Sequence, residues 1–287
     1  MTFNVESVHP TFGGRVSGLM LRDVHDESTL AAIRAAMDKY AVLVFPGQSF
    51  SHSEQLEFAE RLDGVIHRKT GSRAIKKNRL GDEGITDISN VGADDEIMEK
   101  ASRARLYSLG NRLWHTDASF EDPPGRYSML HAKHIPEVRA DTQFADTRTA
   151  YDDLSESVKG SLKGLTVHHS IAYSRHTLGF HFSEEEAALL PGAHHPLVRE
   201  FTNTGRKALY LASHAAQVME MSMPDGRLLI RDLLEHATQP KYVYQHEWTQ
   251  GDLVIWDNRA SMHRAMPFDD ENHRRELVRV TTLDVAA

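Results

Sequence analysis

The segment Arg275–Leu283, read RELVRVTTL, sets two positive charges in a stretch otherwise patterned for burial. Successive side chains of an extended strand alternate between faces, so Arg275, Leu277 and Arg279 point one way and Val278 and Val280 the other. A helix would also align the two arginines. An isolated buried charge is prohibitively costly, so the fold must bring anions to that face. The chain carries 41 Asp and Glu, which allows structural salt bridges. A planar guanidinium fork is equally the natural clamp for the carboxylate of a small molecule. With β-branched residues predominating, the segment reads as a strand with both arginines facing inward.

The rest of the chain agrees with such a frame. Across 287 residues there is no internal repeat, no low-complexity tract and no linker rich in Pro, Gly or Ser, so residues 1–287 read as one domain. Ser28 is placed to cap a helix in which Leu30, Ile33, Met37 and Tyr40 recur at helical spacing. Ala41–Phe45 reads as a buried strand closed by Pro46-Gly47, and Ser51-His52-Ser53-Glu54 as a capping box opening a helix through Leu62. Leu154, Val158, Leu162 and Leu165 mark a further helix, Ser183 caps another, and Gly226–Ala237 forms a third. Tyr242–Trp248 alternates like a strand, and Thr249–Asp252 turns it back onto Leu253–Trp256 as its hairpin partner. Mixed strands and helices with many turns give an α+β fold around a sandwich or barrel.

Composition removes several functions. The net charge of −8 lacks the basic footprint that nucleic-acid binding needs. Zero cysteines exclude disulfides, thiolate metal sites and a cysteine nucleophile, and suit a reducing compartment. The opening MTFNVESVHP shows no secretory pattern, and the apolar runs are too short to span a bilayer, so a cytoplasmic protein with no membrane partner is expected. Val65–Ser89 breaks the periodicity. His67, Arg68, Lys69, Arg73, Lys76, Lys77 and Arg79 there read as a solvated loop, or as a lid over an anionic substrate.

The 18 histidines raise the question of which have partners at meaningful spacing. In Trp114-His115-Thr116-Asp117, an extended backbone lets an imidazole and a carboxylate address one point. A third ligand from elsewhere would complete a two-histidine, one-carboxylate face of Fe(II), leaving the opposite positions open for oxygen chemistry. His263, after the polar turn Asp257–Met262, is the distal candidate; alone it would read as a core histidine. His52-x-Glu54 has the same spacing but lies at a helix start, and His168-His169 and His194-His195 read as surface or core pairs.

Taken together, His115-x-Asp117, His263 and the Arg275/Arg279 pair resemble the Fe(II)/2-oxoglutarate dioxygenases of the taurine and 2,4-dichlorophenoxyacetate group. The resemblance runs along the chain through LWHTDASF, RYSML, ADT, TRTAYD, GRKALYLASHA, LLEHATQPKYVY, GDLVIWDNR and RRELVRVTTLD. It implies a double-stranded β-helix (jelly-roll) core with flanking helices. It assigns Fe(II) to His115, Asp117 and His263, and the distal carboxylate of the cosubstrate 2-oxoglutarate to Thr142 and Arg275. Arg275 is preferred over Arg274 because it preserves the Arg-Arg-x-x-x-Arg-x-Thr pattern, and Arg139-Ala140 stands where the family commonly has Gly-Gly. Arg279 then faces a small-molecule carboxylate substrate. His214, in the LASHA motif of the phenoxyacetate branch, adds a second donor, with Asn111 a further candidate.

For that branch the resemblance implies O2-dependent hydroxylation of the carbon next to the carboxylate of an aryloxyalkanoate such as 2,4-dichlorophenoxyacetate. The product collapses to a phenol and glyoxylate, while 2-oxoglutarate becomes succinate and CO2. A taurine, alkylsulfonate or alkyl sulfate dioxygenase shares the iron chemistry. A jelly-roll metal protein without oxygenase activity is the alternative of another class. The family resemblance also leaves a homo-oligomer open.

Overall fold

The computed structural model describes residues 3–68 and 79–285. In chain order, strands β1 (Asn4–Ser7) and β2 (Gly14–Ser17) precede helix α1 (Glu27–Tyr40), strand β3 (Val42–Phe45), helix α2 (His52–Asp63) and strand β4 (Ile85–Ser89). The short helix α3 (Arg103–Ser108) leads to β5 (Gly125–His134), β6 (Thr142–Asp146), α4 (Thr147–Asp152), α5 (Glu156–Ser161) and β7 (Thr166–His169). Next come α6 (Ile171–His176), α7 (Glu184–Ala188), β8 (Ala193–Pro196), β9 (Val198–Glu200), β10 (Lys207–Leu209), β11 (Ala215–Val218) and α8 (Met223–Ala237). The chain closes with β12 (Val243–His246), β13 (Leu253–Asp257), β14 (Ser261–Ala265) and β15 (Glu276–Leu283).

Among the described residues, one sheet has the order β1-β2-β3-β13-β5-β15-β4 and a smaller one the order β12-β6-β14. Period-two alternation decides what each strand contributes. Val42, Val44, Leu130, Ala132, Val254, Trp256 and Leu277 of the large sheet meet Phe144 of the small sheet in one cluster. Leu43, Phe45, Met129, Ile255, Val278 and Val280 face the other way, onto Leu30, Ile33 and Met37 of α1 and Phe58 and Leu62 of α2. Each such fully buried side chain contributes about 1.5–3 kcal/mol relative to exposure. Gln55 of α2 pins this layer by donating to Met129 O (3.0 Å) and Val278 O (3.1 Å). The result is the jelly-roll core with flanking helices that the sequence implied.

Several local expectations need correction. The N-cap of α1 is Asp26, which accepts from Thr29 N at 2.9 Å; Ser28 supports that cap by donating to Asp26 at 2.6 Å. The helix expected around Leu154–Leu165 shrinks to the short α5, which Ser155 caps and which ends before Gly164, at φ +81°. Helix α8 starts earlier than Gly226, at Met223 behind the Ser222 cap. The segments of β12 and β13 do not form a hairpin. β12 pairs with β6, whereas β13 lies between β3 and β5 in the other sheet. Leu253–Asp257 is buried at every position, so it needs neighbours on both edges and cover on both faces.

The basic stretch is also not one loop. Ile85–Ser89 is an edge strand paired with β15. Arg79 is held by Asp87 (2.8 Å) and Glu276, and Arg68 lies 3.4 Å from both Glu60 and Asp82, so neither is the free cation of a lid. Lys69, Arg73, Lys76 and Lys77 lie outside the described residues.

Candidate active site

Strand β14 carries His263 on its inner face, and an isolated bridge ties it to His115. His115 N donates to His263 O at 2.9 Å, and His263 N donates back to His115 O at 2.8 Å. Backbone pairing across 147 intervening residues of chain therefore sets two imidazoles side by side, with ring centroids 4.1 Å apart. Asp117 follows in a turn rather than a strand, shaped by Ala118 at φ +53°. Its amide donates to Asn258 Oδ1 at 3.0 Å. The ligand atoms of His115, Asp117 and His263 all lie within 4.8 Å of one another. Asp117 Oδ1 is 3.9 Å from His115 Nε2, and Oδ2 is 3.7 Å from His263 Nε2.

The protonation states suit a metal. His115 Nδ1 lies 2.8 Å from Leu113 O. A carbonyl only accepts, so Nδ1 carries the hydrogen and Nε2 keeps its lone pair for the metal. Burial pushes both imidazoles below the usual histidine range, against the pull of Asp117, so they are neutral at pH 7. Burial acts to raise Asp117, but Arg279 and the two imidazoles outweigh it and hold the carboxyl near 2. Two neutral nitrogens and one carboxylate on one side of a cavity form the open facial donor set of a non-haem Fe(II) site. The residues present fit that ion.

Two guanidinium groups enter from this edge of the site, Arg279 from β15 and Arg275 from the residue just before it. Arg275 is buried facing inward, whereas Arg274 turns outward to Glu276 and Asp95. Among the described residues, Arg275 Nε and Nη2 find no hydrogen-bond partner. Burial pushes this guanidinium down to about 10, with Asp141 opposing. It shares a cavity with Thr142, His115, His263, Asn111 and Arg279, walled by Ile88, Leu130, Trp256 and Ala265. Thr142 Oγ1 accepts from Trp248 Nε1 at 2.9 Å, which leaves its own hydrogen to donate. A buried cation and a buried hydroxyl donor converging beside the triad fit the far carboxylate of a dicarboxylate such as 2-oxoglutarate.

Arg279 lines both this cavity and a neighbouring one, which it shares with Asp117, His115, His214, Asn111, Tyr107, Phe120, Ile171 and Arg175. Its Nη1 donates to Asp117 Oδ1, and its Nε has no partner among the described residues. His214 is fully enclosed, edge-on to Phe120 at 5.0 Å, with Nε2 likewise unpartnered. Thus all eight residues singled out in the sequence line one of two adjoining cavities.

Sequence reasoning missed the residues that hold these groups. Ser128 Oγ donates to Asp117 Oδ2 at 2.7 Å and accepts from Asn258 Nδ2 at 2.9 Å. Ser119 Oγ lies 3.2 Å from His214 Nδ1 and 3.0 Å from His169 Nδ1, so its single hydrogen is given to one imidazole while the other donates to it. Asn258 lies in the polar turn that follows the Leu253–Trp256 strand, but nothing local announces that it would reach Asp117.

Residues 4–281 match the family described as taurine catabolism dioxygenase TauD, TfdA family. The chain is 40% identical to the alpha-ketoglutarate-dependent 2,4-dichlorophenoxyacetate dioxygenase of Burkholderia sp. (strain RASC), over 99% of this chain and 95% of the relative. It is 31% identical to the (S)-phenoxypropionate/alpha-ketoglutarate-dioxygenase of Sphingobium herbicidovorans, over 93% of this chain and 90% of that one. Among solved structures, the crystal structure of AAD-2 in complex with Mn(II) and N-oxalylglycine superposes with a TM-score of 0.95 at 40% identity, covering 99% of each chain. With the ligand triad, the jelly roll and these matches in agreement, the chain belongs to the TauD/TfdA dioxygenase family.

Proposed function

We propose that this chain is an Fe(II)- and 2-oxoglutarate-dependent dioxygenase acting on aryloxyalkanoates, 2,4-dichlorophenoxyacetate being the type, at the carbon next to the carboxylate. The observation that carries the reading is the placing of two inward guanidinium groups beside His115, Arg275 in one of two adjoining cavities and Arg279 where it lines both. One cavity suits the cosubstrate's carboxylate and the other the primary substrate's.

Fe(II) held by His115, Asp117 and His263 would supply the oxygen chemistry that inserts a hydroxyl group. The chain's own residues bind, orient and exclude water. Arg275 and the Thr142 hydroxyl hold the distal carboxylate of 2-oxoglutarate. Arg279 Nε and His214 Nε2 hold the substrate carboxylate, with Asn111 at the wall between the two cavities. Tyr107, Phe120 and Ile171 cover the aryl ring. Holding the carboxylate fixes which carbon faces the metal, so positioning selects the site of attack. The hydroxylated ether is a hemiacetal and breaks to a phenol and glyoxylate.

An oxygen-electrode screen with Fe(II) and 2-oxoglutarate tests this against phenoxyacetates, phenoxypropionates, cinnamates, taurine and alkyl sulfates. Phenol and succinate release in equal amounts from phenoxyacetates is the expected result. Coupled turnover of taurine or an alkyl sulfate alone would move the chain to the sulfonate or sulfate branch.

A further inference from the structure

Four arginines are buried among the described residues: Arg105, Arg148, Arg175 and Arg275. Two are neutralised by the fold itself, Arg105 by Asp270 at 3.0 Å and Arg148 by Asp146 at 2.8 Å. Arg275 lacks such a partner and is assigned above to the cosubstrate carboxylate. Arg175 is the other exception. It is 4% exposed, and among the described residues no carboxylate lies within ion-pair distance of it. Residues 69–78 contain no acid that could supply one. Its Nη1 donates to Ser174 Oγ at 3.2 Å, its guanidinium sits over the Tyr107 ring at 4.7 Å, and its Nε is unpartnered. These contacts hold the group in place without cancelling its charge.

The surroundings are shaped around it. A Cβ at Gly110 would stand 2.1 Å from the Arg175 Cζ, so only glycine leaves the guanidinium room there. Arg175 lines the same cavity as Arg279 and His214, beside the aromatic wall of Tyr107 and Phe120. The remaining acids of that cavity are committed, Asp117 to the metal and Arg279, Asp87 to Arg79 at 2.8 Å. A metal dication, Asp117, a 2-oxoglutarate dianion and the guanidinium groups of Arg175, Arg275 and Arg279 leave two positive charges for the primary substrate to meet. A monocarboxylate meets one.

We infer that Arg175 forms a second anion subsite in the substrate cavity, and that the preferred substrates are dianions. Such a substrate is an aryloxy acid with a further carboxylate or comparable anion on the ring, distant from the carbon that is oxidised. This rests on the aryloxyalkanoate reading for the position of the ring. Arg279 takes the acid next to the reacting carbon, Tyr107 and Phe120 cover the ring, and Arg175 pairs with the distal anion.

The test compares two ligands of nearly equal shape that differ in charge, carboxyphenoxyacetate and carbamoylphenoxyacetate, in both the 3- and 4-substituted series. Each is titrated by calorimetry into the protein loaded with Fe(II) and 2-oxoglutarate in the absence of oxygen, and succinate release is then measured in air. The carboxylate is expected to bind about tenfold or more tightly than the amide in at least one series, as for a desolvated charge pair. Arg175→Met should bring that ratio to within about twofold, and Arg175→Lys should fall between, since a lysine keeps the charge and loses the fork. A wild-type ratio near one in both series overturns the subsite, and so does a ratio that survives in Arg175→Met. Should Arg175→Met not fold, the wild-type ratio and Arg175→Lys still decide. A charge preference in binding without succinate release from any phenoxyacetate would leave the subsite standing and remove the aryloxyalkanoate reading instead.

Discussion

Arg275 and Ser128 show how differently two residues of one site can depend on their surroundings. Arg275 is a buried cation whose Nε and Nη2 have no partner among the described residues, so on the proposed cosubstrate role truncation would leave a desolvated carboxylate unpaired. Arg275→Ala should weaken 2-oxoglutarate binding by about 2–5 kcal/mol, roughly thirtyfold to a few thousandfold. The check is the 2-oxoglutarate concentration dependence of succinate release, and an unchanged KM would remove Arg275 from the cosubstrate site. Ser128 is not among the residues lining the two cavities; it donates to Asp117 Oδ2 at 2.7 Å. Ser128→Ala should lower metal affinity by about 10–100-fold, the usual effect of losing a group that orients a ligand. Titration with Mn(II) measures it, and a change under about twofold would show that the bond from the Asp117 amide to Asn258 Oδ1 alone suffices to fix the carboxylate turn. The sequence displayed Arg275 because a charge in a β-branched strand violates its own pattern. Ser128, small and polar within RYSML, violates nothing, and its importance arises only when β5 is laid against the Asp117 turn.

Elements were legible to the extent that their signals are local. The capping box of α2 stands as read: Ser51 Oγ accepts from Glu54 N at 3.2 Å, and Glu54 Oε2 accepts from Ser51 N at 2.7 Å. Ser51→Ala should cost about 1 kcal/mol in urea unfolding, because two orphan amides at that helix start lose their arrangement. A loss below about 0.3 kcal/mol would mean that Gln55 and the apolar face alone fix the helix. Strand pairing was not legible, and β12 and β13 show why. Alternation along Tyr242–Trp248 reports that one face is buried, not which sheet buries it. The turn at Thr249–Asp252 fits a hairpin equally well, yet it carries the chain from the small sheet to the large one. Only the unbroken burial of Leu253–Asp257 marks a central strand, and burial is a property of the assembled core. Likewise His115 and Asp117 do share a target as their spacing suggested, although a turn rather than a strand provides it.

At the scale of the whole molecule, the enclosed histidines give the fold a defined response to acid. His131 of β5 is the clearest instance. Its Nε2 donates to Gln48 O at 3.1 Å, and its Nδ1 is buried with no partner among the described residues. Protonation would place a hydrogen and a charge on Nδ1, where nothing accepts them. Burial, aided by nearby Lys133, holds this imidazole down to about 4, against 6.5 for the ordinary group. The folded protein therefore binds fewer protons than the unfolded chain between those two values, and stability falls as pH falls. The contribution of neutral His131 is complete above 6.5, diminishes below it, and is gone once pH passes below 4. At pH 5 this one group should already have removed about 2 kcal/mol relative to pH 7. His169 and His214, also pushed down chiefly by burial, act in the same direction. His131→Gln keeps a donor for Gln48 O and cannot titrate, so its urea-unfolding free energy should decline less steeply between pH 7 and pH 5, by about the same 2 kcal/mol. Equal slopes for the two proteins would show that the imidazole finds an acceptor or water when charged. In that case acid sensitivity would belong to the metal-side carboxylate and the remaining histidines instead.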